Sequence, residues 1–62
     1  MTKNELAKQY AANVRTAAYC RQRVYTCPPA QAAAYESMAN QAARKATAAM
    51  QALDKLEARN AH

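Results

Sequence analysis

Cys20 and Cys27 are the only thiols in the chain, and their spacing limits what they can do. On one continuous helix, residues seven apart are separated by about 10 Å, beyond the roughly 7 Å that the Cα atoms of a disulfide allow. The gap fits neither the two to four intervening residues of a zinc-binding pair nor the two of a redox dithiol. The one histidine is His62, at the far end of the sequence. Buried structural thiols are the expected role, with metal or redox use and an intermolecular disulfide as alternatives. The four acids, Glu5, Glu36, Asp54 and Glu57, are scattered. Only Asp54 and Glu57 are i,i+3 neighbours, near an exposed helix end where Lys55, Arg59 or solvent would engage them. General acid–base catalysis needs carboxylates in contrasting, partly buried surroundings, and this pattern supplies none. The sequence therefore assigns no catalytic, cofactor-binding or metal-ligating residue, and the expectation is a protein that is not an enzyme.

The chemistry that remains is recognition. Arg15, Tyr19, Arg21 and Arg23, with Lys8 further along and Tyr25 closing the run, combine guanidinium groups with aromatic rings. That combination serves a protein-interaction hot spot, where rings stack and guanidiniums meet carboxylates. It also serves phosphate contact and base stacking, so nucleic acid is the alternative partner. A tight glycine-containing turn and a third helix, common in helix-turn-helix units, are both missing.

Composition narrows the choice further. The chain has 62 residues, no glycine and a formal charge of +5. Without glycine there is no phosphate-cradling loop, dinucleotide fingerprint or nucleophile elbow. Eighteen alanines dominate the apolar content, leaving three Leu, two Val, three Met and four Tyr as the sizeable groups. So few large side chains cannot wall in a substrate pocket. The charge is uneven: residues 1–27 set Lys3, Lys8, Arg15, Arg21 and Arg23 against Glu5, for +4, whereas residues 28–62 carry +1. No run approaches the ~20 apolar residues of a membrane span, and no signal-peptide core is visible. The expected location is the cytoplasm, with reduced thiols.

The elements that must position these side chains are helices. Alanine is the strongest helix former, with Gln, Glu, Lys, Arg and Met close behind. Cys27-Pro28-Pro29 interrupts them, because proline bars its predecessor from helical geometry yet is welcome in a first helical turn. The prediction is one domain over 1–62: helix 1 at about 3–26, a turn at 27–29, and helix 2 at about 29–59. Thr2-Lys3-Asn4-Glu5 opens helix 1 as a capping box. Its inward stripe is Leu6, Tyr10, Asn13 or Val14, Ala17, Cys20 and Val24. Helix 2 carries Tyr35, Ala39, Ala42, Ala46, Ala49, Leu53 and Leu56, alternating spacings of four and three as in a heptad seam. A polar Asn13 on the seam would fix register, and the alternative turns Val14 inward.

The short turn forces the helices antiparallel, pairing Val24 with Tyr35 at one end and Leu6 with Leu53 at the other. The fold class is thus all-α: an antiparallel two-helix hairpin, an alanine-rich coiled coil, with helix 2 overhanging by a turn or two. One alanine seam buries too little to hold such a hairpin alone. Ala11, Ala18, Met38, Ala43 and Met50 remain off the seam, so the expectation is pairing into a four-helix homodimer through them, or else contact with a partner protein. A structural role in a larger helical assembly is the further alternative.

A short, basic, alanine-rich hairpin with the opening Met1-Thr2-Lys3-Asn4-Glu5-Leu6 and a Pro28-Pro29 turn resembles the small accessory proteins of temperate lambdoid phages. The similarity is to the short early proteins of the exonuclease–excisionase region, in size and style across the whole chain. It carries no diagnostic motif and no site residue. The resemblance implies a non-catalytic early regulatory protein that contacts a host or phage protein in the host cytoplasm.

Overall fold

The computed structural model describes residues 2–60, and His62 lies outside them. Two helices account for nearly all of the described chain: α1 over Lys3–Thr26 and α2 over Pro29–Asn60. They lie side by side in a rod of 51 × 14 × 14 Å.

Local chemistry sets each boundary. Thr2, in extended conformation, accepts the Glu5 backbone N–H on its hydroxyl at 3.2 Å, and the Leu6 N–H donates to its carbonyl. Glu5 does not reach back to the Thr2 backbone, as a full capping box would. Its carboxylate instead accepts the Thr2 hydroxyl proton at 3.1 Å, so the cap closes on one side chain. At the other end Cys27 is extended, with φ −91° and ψ 164°, while its N–H still donates to the Arg23 carbonyl at 2.9 Å. Pro28 enforces that extension on its predecessor. Gln31 N–H then donates to the Pro28 carbonyl, opening α2 with Pro29 at its first position. No described residue has positive φ. The reversal is therefore built from one extended residue and two prolines, and it works without glycine.

The core is the seam between the helices. Leu6, Ala17 and Cys20 of α1 are buried against Ala39, Ala42, Ala46 and Ala49 of α2, and Cys20 is the largest side chain fully enclosed. Tyr10, Asn13, Val24, Tyr35, Leu53 and Leu56 lie half-buried along its edges and ends. Two contacts at opposite ends mark the direction and register. Lys3 Nζ lies 3.5 Å from Glu57 Oε1, and the Arg23 guanidinium lies over the Tyr35 ring. The overhang of α2 is consequently shared, about one turn beyond α1 at each end. With methyl groups on so many seam positions, the backbones approach closely and no large side chain is needed between them.

Asn13 does neither of the things its seam position suggested. Its Nδ2 donates to the Gln9 carbonyl of its own helix at 2.9 Å, so it makes no register bond across the seam. Val14 does not replace it, and stays 43% exposed. A single turn back along the helix satisfies the amide more cheaply than ordering a partner on α2 would.

Candidate functional site

Five side chains, Arg15, Tyr19, Arg21, Arg23 and Tyr25, were expected on one outer face, and the helix separates them. Residues two apart point away from each other on an α-helix, so Arg21 and Arg23 emerge on opposite flanks of the hairpin. Arg15 and Tyr19 occupy the back of α1, away from α2, and Tyr19 is 56% exposed. Arg21 and Tyr25 stand on one flank, where Glu36 and Asn40 of α2 join them around a cleft of about 440 Å³. Tyr25 is 89% exposed. Arg15 and Tyr19 thus share the back of α1, Arg21 and Tyr25 share one flank, and all four are exposed.

Arg23 is the correction. It is half-buried on the other flank, its guanidinium carbon 5.5 Å from the centroid of the Tyr35 ring. Placing a guanidinium over an aromatic face is favourable. The pKa of Arg23 moves up from its ordinary value, chiefly through the neighbouring Tyr35 side chain, with Tyr19 adding to it. Its Nε is buried with no hydrogen-bond partner. Arg23 thus lies over Tyr35 at the turn end of the seam, on the flank opposite Arg21. Charge counting along α1 could not show this, because the partner ring comes from the other helix.

The residues expected to self-associate also divide. Ala18, Ala43 and Met50 line one groove of about 410 Å³ together with Tyr10, Val14 and Arg21. Met38, 48% exposed, lies on the opposite flank, beside Tyr35 and near Asn13, Thr16 and Lys45. Ala11 is half-buried and lines neither groove. Tyr10 and Val14 complete the apolar flank, and a sequence signal for them existed. Tyr10, Val14, Ala18, Arg21 and Tyr25 recur at spacings of four, four, three and four, a second stripe beside the seam.

The remaining chemistry is sparse. Cys20 and Cys27 are both free thiols, one buried and one half-buried, and the Cys27 Sγ lies 4.0 Å from the Val24 carbonyl oxygen. Glu57 pairs with Lys3 across the helices, where Lys55, Arg59 or solvent had been expected. No group of three or more His, Cys, Asp or Glu side chains among the described residues is placed to hold a metal. No helix among them is long and apolar enough to cross a membrane. No family model, curated protein or solved structure matches this chain.

Proposed function

We propose that this is a small non-catalytic regulatory protein that assembles as a four-helix dimer of hairpins and docks a protein partner on the back of α1. Arg15 and Tyr19 form the centre of that contact, Lys8 extends it along the helix, and Tyr25 borders it at the turn. The observation that supports this most is the placement of aromatic rings. A chain short of large apolar groups keeps Tyr19 and Tyr25 outside, 56% and 89% exposed, while alanines fill the seam. Exposed tyrosine beside arginine suits an acidic protein face, the ring stacking while the guanidinium pairs with carboxylate. The phage early proteins that this chain resembles would work in the same way, by contact with a host or phage protein in the cytoplasm.

Affinity purification from the native host, with and without nuclease, tests the reading. The expected result is one acidic protein recovered in both cases and lost when Tyr19→Ala and Arg15→Ala are combined. Recovery of nucleic acid alone, abolished by nuclease, overturns it and assigns the same face to phosphate contact.

A further inference from the structure

The two flanks of the hairpin differ in a way that says what covers one of them. The groove of Tyr10, Val14, Ala18, Ala43 and Met50 is mainly apolar, with Thr47 and Gln51 on its α2 side and Arg21 toward the turn, and the other charges of this flank stand toward the ends. Those charges are sorted by helix. Lys3 and Arg21 stand on α1 about five turns apart, and Glu36 and Asp54 stand on α2, again about five turns apart. Glu57, beside Lys3, adds to the acidic side. On the opposite flank Gln9, Asn13, Gln41 and Lys45 interrupt the apolar surface.

We propose that a second copy of this chain covers the Tyr10–Met50 flank, related by a two-fold axis parallel to the long axis of the hairpin. In that arrangement α1 lies along α2 of the partner subunit in its own register, and both turns sit at the same end. The proposal deepens the dimer reading above and rests on it.

Area and charge support it independently. A compact monomer of 6.8 kDa exposes about 4,000 Å², whereas this chain exposes 4816 Å². The excess, roughly 800 Å², is similar in size to the area each partner contributes to a standard stable interface, so the rod has enough open face for one. The axis then follows from the sorted charges. With the axis along the rod, Arg21 faces Glu36 of the partner subunit and Lys3 faces Asp54 of the partner subunit, each pair occurring twice. The end-for-end alternative sets α1 on α1, bringing Arg21 toward Lys3 of the partner subunit and Glu36 toward Asp54 of the partner subunit. Like charges on facing helices oppose that choice. Between the charged ends, Tyr10 meets Met50 of the partner subunit in a sulfur–aromatic contact, and Ala18 meets Ala43 of the partner subunit closely. Every helix then has antiparallel neighbours on both sides, as in an up-and-down bundle.

Sedimentation equilibrium and circular dichroism of the full chain test this. The wild type should be a helical dimer. Met50→Glu should give monomer, while Met38→Glu, on the other flank, should leave the dimer intact. Arg21→Glu should weaken the dimer roughly threefold to tenfold, and Arg21→Glu combined with Glu36→Arg should restore it. A wild type that is helical and monomeric at every concentration overturns the dimer reading itself. A dimer dissociated by Met38→Glu and not by Met50→Glu overturns only the face. A dimer tightened by Arg21→Glu overturns only the axis. Should Met50→Glu also lose helix, the charge series still decides, because Arg21 and Glu36 are exposed and their exchange leaves the seam intact.

Discussion

The two flanks of the hairpin come from the same two helices and the same alanine-rich composition, yet they present different surfaces. One carries a second apolar stripe with its charges segregated, positive on α1 and negative on α2. The other is broken by amides and Lys45, and at its turn end Arg23 covers Tyr35. The seam between them is filled mainly by small residues, whereas the flanks differ in the side chains they expose. In a protein this thin, one residue of offset on a helix moves a side chain from core to flank to back. On the reading proposed above, self-association therefore falls to the second stripe and partner contact to the back of α1.

The contrast breaks most completely from the seam itself. Ala42→Glu places a carboxylate where Ala42 is 4% exposed, and an unpaired buried charge costs about 3–5 kcal/mol. Both flanks should disappear together, seen as loss of the helical signal at 25 °C and of the cooperative melt. Next in size is Thr2→Ala, which removes the cap acceptor of the Glu5 N–H and should cost about 1 kcal/mol. It lowers the melting temperature without altering the difference between flanks, so the dimer measured by sedimentation should survive at a temperature where the helices remain formed. The smallest effect belongs to Arg23→Met. That substitution keeps an unbranched stem over the Tyr35 ring and discards the partnerless Nε. The melting temperature should stay unchanged, whereas Arg23→Ala, which uncovers the ring, should lower it measurably.

Much of the fold was legible because its causes are local. A chain with this much alanine and no glycine has one cheap backbone conformation, and two adjacent prolines mark where it ends. The alternating spacing from Tyr35 to Leu56 names the buried edge of α2, and Ala39, Ala42, Ala46 and Ala49 are buried as that spacing requires. The recognition residues were less legible. Tyr19 and Arg15 follow from their distance to the stripe, but Arg21 and Arg23, close in sequence, were assigned to one surface that the helical twist divides. Met38 and Met50 looked alike as off-seam apolar residues, and only the handedness of the helix puts them on opposite sides.

By itself, the sequence determined the helices, the place of the reversal and the alanine edge along which they meet, since propensity, proline geometry and periodicity act within a few residues of their source. The tertiary structure decided which arginine meets a ring, because the ring over which Arg23 lies comes from the other helix. It also decided that Tyr10, Val14, Ala18, Ala43 and Met50 share one groove. Side chains from two helices become neighbours only when the helices pack, and neither helix by itself contains the side chains its partner brings.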